Sequence, residues 1–461
     1  MNFRYIRTLR KLFLPAVLSV GTIGWAQTPQ AAADEEEIEA EDSDDLEQQE
    51  YLASPVVIPD DVDDIDIPIP SFIHRTANHI IYNGADWSRL RQAVLNSTNK
   101  PVNIVHIGDS HIQADISTST TRRLLQYDFG NAGRGLISPL KISGTNQPTD
   151  FTFSSHGSWS ANKLMSQSWR QTVGFTGCSI RPHTSSSSLT IATCSPEDYD
   201  PFRSVTIFHS GRMQVTSVEG PDGEQLKYRA IPSKNYTQIL LNEPVDNISV
   251  RFNSAGDLTV FGASLSGDRA GLFYHNIGNN GATYSTYNRI GNVGEGISPL
   301  SPDLVILSLG TNEAFGRLDT SGLRSAIDRL VKNIKASNPN ALILLTTPME
   351  CHKAFTTTKK TRVRTKATRK RKARYRTVNK TVRTYSVNPN IAPIRDAILA
   401  YGKQNGIAVY DWYEVAGGRG ASNTWISHDL FAKDRVHHTR TAYNIEGRLL
   451  YEALLDALRN P

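Results

Sequence analysis

From Trp87 onward the apolar and polar positions of the chain follow two periods in turn. WSRLRQAVL (87–95) repeats its apolar residues at the spacing of one helix face, VNIVHI (102–107) is a short apolar run of strand type, and ISTSTTRRLLQYDF (116–129) returns to helical spacing. The rhythm then breaks. Between 141 and about 268 the text is rich in Ser, Thr, Gly and Asn, with short β-branched and aromatic runs: SLTIATC, RSVTIFHS, RMQVTSVEG, TQILLN, ISVRFN and LTVFGASL. Such regularly spaced short strands predict a β-sandwich set into the first domain. Alternation resumes with LVILSLG (304–310), a helix near 322–336, the strand ALILLTTP, the helix IAPIRDAILAYGKQNG, the strand IAVYDW and a terminal helix from about Ala442 to Leu458. Strands separated by helix-like text imply parallel pairing through crossovers, so the fold class is α/β with an inserted all-β domain. No internal repeat is evident.

Length and charge refine this picture. At 461 residues the chain exceeds one typical domain. Arg4, Arg7, Arg10 and Lys11 precede the 15-residue apolar run LFLPAVLSVGTIGWA, which Pro15, Gly21 and Gly24 interrupt. That run is short of the roughly 20 residues a spanning helix needs, and Gly24 and Ala26 are spaced for cleavage, so an exported, periplasmic or extracellular protein cut near Ala26 is expected, with no stable membrane span. Residues 34–66 hold sixteen acidic side chains and no basic one, whereas 353–383 hold fourteen Lys or Arg and no Asp or Glu. We divide the chain into a leader, 1–26; an acidic disordered linker, 27–75; a first α/β segment, 76–140; the β-module, 141–268; and a second α/β segment, 269–461, which carries a basic hairpin or loop at 353–386. Of the three cysteines, Cys178 and Cys194 are the expected disulfide pair; Cys351 beside His352 lacks the spacing of a zinc site.

Four polar signals fall where the carboxyl ends of parallel strands should lie, which is where such sheets bind ligands. Ser110 follows the first strand in IVHIGDSHIQAD. Gly278 and Gly281 lie in HNIGNNGATYSTY, Asn312 in GTNEAFG, and Asp434 and His437 in DRVHHT before the last helix. A serine hydroxyl becomes nucleophilic when a base takes its proton, and imidazole serves near neutral pH. A carboxylate on the other ring nitrogen fixes the tautomer, which gives the order Ser110, Asp434, His437.

In these motifs the chain resembles the SGNH, or GDSL-type, hydrolases over 104–130 and 275–442. The resemblance implies a flavodoxin-like α/β/α sandwich, an oxyanion hole formed by the Ser110 backbone amide, the Gly281 amide in preference to Gly278, and the Asn312 side chain, and a reaction that needs no metal or organic cofactor. The Asp-x-x-His spacing of that family selects His437 over the adjacent His438. Two positions depart from the family pattern: His111 stands for a leucine and Glu313 for the more usual aspartate. Asp109, His111, Gln113, His275 and Glu313 are candidates to line the site.

The order of serine block, β-module and remaining blocks is similar to exported peptidoglycan O-acetylesterases, in which a jelly-roll module like a carbohydrate-binding module interrupts the catalytic domain. This implies O-acetylated peptidoglycan or a related glycan as partner and hydrolysis of 6-O-acetyl muramoyl esters, with O-acetyl transfer, deacetylation of another polysaccharide and non-catalytic wall binding as alternatives. Alternation in TRVRTK and ARYRTV predicts a hairpin with cations along one face, able to meet the carboxylates of wall peptides or the acidic tail. An exported chain would rarely meet nucleic acid, and the sequence does not set the oligomeric state.

Overall fold

A computed structural model describes residues 68–194, 201–364 and 374–459; the leader and most of the acidic linker lie outside them. Among the described residues a six-stranded sheet forms the centre of the α/β part: β1 (Ile80–Ile81), β2 (Val102–Gly108), β3 (Leu272–Gly278), β4 (Leu304–Ser308), β5 (Leu342–Thr346) and β6 (Ala408–Tyr410). Their spatial order is β1-β6-β5-β4-β2-β3. All neighbours are parallel except β1, which adds antiparallel to the β6 edge. Without β1 the order is that of doubly wound flavodoxin-like sheets, and the winding reverses beside β2, the position where such sheets place their crevice. β2 and β4 are buried almost throughout, as parallel strands covered on both faces must be. Helices Ser88–Leu95, Ile116–Phe129 and Arg440–Arg459 pack together on one side, and Tyr284–Asn288, Thr320–Ser337 and Ile391–Asn405 on the other.

Register sets the level of the site. Gly108 pairs with both Gly278 and Ser308, Ser308 with Thr346, and Thr346 with Tyr410, so these strands end at one height. Ser110, Gly281 and Asn312 follow that line by two, three and four residues, whereas Asp434 and His437 come from the loop before the last helix.

The β-module leaves the α/β part at Gly130 and returns at Gly271. The two legs are joined there: Leu272 N–H donates to Gly130 O and Gly267 N–H to Ala132 O. A Cβ on Gly271 (φ +155°) would lie 2.4 Å from the Gly130 carbonyl, so the close approach requires glycine. Between these legs a seven-stranded and a four-stranded antiparallel sheet enclose a core that includes Phe153, Ile180, Ile191, Val205, Ile207, Val250 and Phe252. Each of the six runs marked in the sequence falls on a strand, overrunning it by at most one residue at either end. Phe151–His156, Trp159–Lys163, Cys178–Pro182 and Tyr228–Pro232 are strands that the pattern did not reveal.

The expected Cys178–Cys194 disulfide is corrected: all three thiols are free. Cys178 belongs to the seven-stranded sheet, whereas Cys194 follows a strand of the other and lies 3.3 Å from Thr152 Oγ1. Stacked sheets are about 10 Å apart, beyond the roughly 7 Å that a disulfide spans between Cα atoms.

A buried ion network ties the module to the α/β part. Asp115 accepts from Arg122 Nη2 at 2.9 Å and from Arg134, and Arg134 Nε also reaches Asp150 at 2.9 Å. Burial would raise the Asp115 carboxyl, but the two guanidinium charges outweigh it and hold it at about 2. Replacing Asp115 by Asn leaves two buried cations short of compensation. We expect a loss of about 3–5 kcal/mol, read as a lower urea midpoint.

The basic segment forms a hairpin in which His352–Arg364 pairs with Tyr375–Val387. The expectation of one cationic face is corrected. Cross-strand pairing puts Lys360, Arg362, Arg364 and Arg383 on one face and Lys359, Arg376 and Lys380 on the other, because the cations at 359, 360, 362 and 364 change phase in the period of two. Among the described residues no helix is long and apolar enough to cross a membrane.

Candidate active site

Why β2 ends in Gly-Asp-Ser-His is a matter of space and capping. A Cβ on Gly108 would meet Ile112 Cγ1 at 2.3 Å and Ser308 O at 2.8 Å, so only glycine lets the chain turn there between β4 and the next helix. Asp109 caps the short helix Ser110–Gln113, its Oδ1 accepting from His111 N–H at 3.0 Å. This places Ser110 at the first helical position, half-buried at the sheet edge.

Ser110 Oγ lies 2.8 Å from His437 Nε2, and His437 Nδ1 lies 2.5 Å from Asp434 Oδ2. With Nδ1–H donating to the carboxylate, Nε2 is left to accept the hydroxyl proton. Local chemistry builds the loop that carries the pair. Asp434 Oδ1 accepts from the N–H groups of Val436 and His437, Arg435 sits at φ +59°, and Ala432 N–H closes the loop onto His437 O. Burial alone would raise the Asp434 carboxyl. The hydrogen bond and charge of His437, with those two backbone donors, hold it down at about 2, so it stays an anion wherever the imidazole would be needed.

Asn312 lies past β4 in helix Thr311–Phe315, introduced by Gly310 at φ +128°. Its Nδ2 donates to Asp109 Oδ2 at 3.1 Å and to Ala282 O at 3.0 Å, so an oxyanion would compete for one of these hydrogens. Gly281 (φ +75°) occupies the turn closed by Ala282 N–H on Asn279 O. Gly278 serves packing: a Cβ there would lie 2.1 Å from Gln113 N.

The remaining candidates divide between those that support the site and one that is remote from it. Gln113 Oε1 accepts from Asn280 N–H at 2.7 Å while its Nε2 donates to Thr145 Oγ1 and to Asn146 of the module, stapling the glycine loop to the insert. Glu313 Oε1 accepts from Tyr284 N–H at 2.8 Å at the start of helix Tyr284–Asn288. His111 packs 5.2 Å from the rings of both His437 and His438 and meets Tyr443 OH at 3.1 Å; burial, then the two neighbouring imidazoles, pushes its ring well below the usual histidine range. His438 is buried among Trp425, Phe431 and Tyr443 rather than beside Ser110. His275 is corrected as a candidate lining residue: it lies mid-strand in β3, bonded to Leu136 N–H and near Asn103, beneath the legs of the module. Thr145, Asn146, Met165 and Tyr443 were missed because no motif marks them; Met165 is the nearest neighbour a Cβ on Gly281 would meet, at 3.4 Å.

Burial pushes the Asp109 carboxyl up to about 7, the His111 amide opposing and the charge of Glu313 assisting. The native state thus holds this proton more tightly than the unfolded chain, whose carboxyl titrates near 3.9. The resulting stability is complete below about pH 4 and is lost as pH rises through 7, at about 1.4 kcal/mol per unit. Glu313, raised by burial to about 7, adds in the same direction. We expect the Tm to fall between pH 5 and pH 8, and Asp109→Asn to flatten that slope; an unchanged slope would remove Asp109 as its source.

Comparison with known proteins agrees with this architecture. Residues 253–445 match the model of the GDSL-like Lipase/Acylhydrolase family. The matched stretch holds Asn312, Asp434 and His437, while the insert separates Ser110 from it. A solved structure described as a peptidoglycan O-acetylesterase in action superposes with a TM-score of 0.63 at 18% identity, over 83% of this chain and 99% of that one. A protein from Bacillus subtilis (TM-score 0.32, 12% identity, 69% and 96% covered) and an active-site mutant of a family two carbohydrate esterase from Clostridium thermocellum (0.28, 11%, 66% and 99%) also match. No curated protein matches by sequence. The chain carries a GDSL-like acylhydrolase domain on the SGNH hydrolase fold, with an inserted β domain. It is a carboxylic ester hydrolase.

Proposed function

We propose that the protein removes O-acetyl groups from a cell-wall polysaccharide, and that the ester is the 6-O-acetyl of muramoyl residues in peptidoglycan. The observation that carries the mechanism is the hydrogen-bonded line from Ser110 Oγ through His437 to Asp434. Ser110 Oγ attacks the acetyl carbonyl as its proton passes to His437 Nε2, and Asp434 stabilises the imidazolium. The Ser110 amide, the Gly281 amide and Asn312 Nδ2 receive the oxyanion, Asn312 releasing one of its present acceptors. Collapse breaks the bond to the sugar oxygen, which takes the proton from His437 and leaves as the free hydroxyl. Water then repeats the sequence on the acetyl-serine and liberates acetate.

Three features support the glycan: the β-module brings Asn146 and Met165 to the glycine loop, the likeness over 83% of the chain is to a structure described as a peptidoglycan O-acetylesterase, and the leader-like first 26 residues fit export to the wall. The test is acetate release from a panel of O-acetylated peptidoglycan, acetylated xylan and acetylated chitooligosaccharide, with acceptor acetylation followed in parallel. Preferred release from peptidoglycan is expected. Preference for a plant glycan would overturn the substrate, and acetyl gain on an acceptor at the expense of acetate would make the protein a transferase.

A further inference from the structure

The hairpin carries no anionic side chain to balance its cations, although Arg362 and Arg383 lie over the rings of Tyr375 and Tyr385. No carboxylate lies between 353 and 383, Lys359 pairs directly opposite Lys380, and cations occupy both faces. Like charges opposite one another weaken a two-stranded ladder, so an anionic partner along the strands would stabilise it. The chain carries a block of matching size and opposite sign: sixteen carboxylates in 34–66 against fourteen cations in 353–383.

Both blocks are tethered to one segment. Phe72, six residues past the acidic block, packs 4.8 Å from the His428 ring and 6.1 Å from Trp425. At the root of the arm Glu350 accepts from Gly420 and Ser422 N–H, and His352 Nε2 lies 3.2 Å from Asn423 Oδ1. The arm runs about 45 Å over its thirteen paired residues, while 33 residues of chain can extend about 110 Å. The acidic block can therefore reach the full length of the strands from where it is tied, at an effective concentration in the mM range.

We propose that residues 34–66 dock in cis on the strands His352–Arg364 and Tyr375–Val387, as a polyanion on a cationic arm. Docking cancels the field that the arm would otherwise present to anionic polymers, and salt weakens it, since screening shortens to about 3 Å at 1 M. The inference does not depend on the ester hydrolysed.

Zero-length carbodiimide cross-linking of the full chain tests it. At about 20 mM salt, links from Asp or Glu of 34–66 to Lys359, Lys360 or Lys380 are expected within monomers, and they should fade at about 1 M. A chain lacking 34–66 should bind polyglutamate about 10-fold or more tightly at low salt, with Tm unchanged, because the competitor in cis is gone. Absence of these links, links confined to dimers, or equal polyglutamate affinity in both chains would overturn the proposal; the last result would assign the arm to external polymers.

Discussion

Ser110→Ala should lower kcat for acetyl ester hydrolysis by about 10⁴- to 10⁶-fold with KM little changed. The size follows from the chemistry: without the hydroxyl no acetyl-enzyme forms, and only the oxyanion donors remain to assist attack by water. Stability should be nearly untouched, because Ser110 is half-buried and the helix cap is supplied by Asp109. Circular dichroism and Tm measured on the same preparation separate loss of chemistry from loss of fold. Activity within 10-fold of wild type would remove Ser110 from the mechanism.

The second large effect is expected at Asp434. Asp434→Asn keeps the shape of the loop but replaces an anion by an amide, which can donate to His437 Nδ1 and so turn the proton onto Nε2. The ring would then face Ser110 with a hydrogen in place of a lone pair. A drop in kcat of about 10⁴-fold is expected. Asp434→Ala should be comparable in activity but less stable, since it also removes the acceptor for Val436 and His437 N–H. If Asp434→Asn retained more than a tenth of wild-type kcat, His437 would need another partner to set its tautomer.

Much of the α/β part was legible because parallel strands buried on both faces leave continuous apolar runs. VNIVHI became β2 within one residue, and ISTSTTRRLLQYDF is the helix Ile116–Phe129 in full. The two-residue edge strand Ile80–Ile81 is too short to carry a period. In the module, WSANK and CSIRP read as strands only once their neighbours exist, because polar and aromatic residues there are placed by cross-strand pairing and not by local pattern. The site shows the same division. Ser110, Asn312, Asp434 and His437 announce themselves through strand ends and short spacings; the register brings Ser110 and Asn312 to one edge, and the loop before the last helix delivers Asp434 and His437 to Ser110. The grip of Gln113 on Asn146, the Tyr443 contact with His111 and the bond from Asn312 to Asp109 depend on distant segments meeting, which no local stretch encodes. His275 illustrates the converse: adjacent in sequence to the glycine block, it points into the layer beneath the module. The disulfide expectation failed for a similar reason, since sequence proximity gave no hint that the two cysteines belong to different sheets.

The most direct measurement is covalent trapping. Incubation with a p-nitrophenyl dialkyl phosphate should release one equivalent of nitrophenol per chain and leave a single dialkylphosphoryl adduct, mapped by mass spectrometry to Ser110, with His437→Ala slowing the reaction by orders of magnitude. An adduct on a different residue, or equal labelling rates with and without His437, would contradict the account.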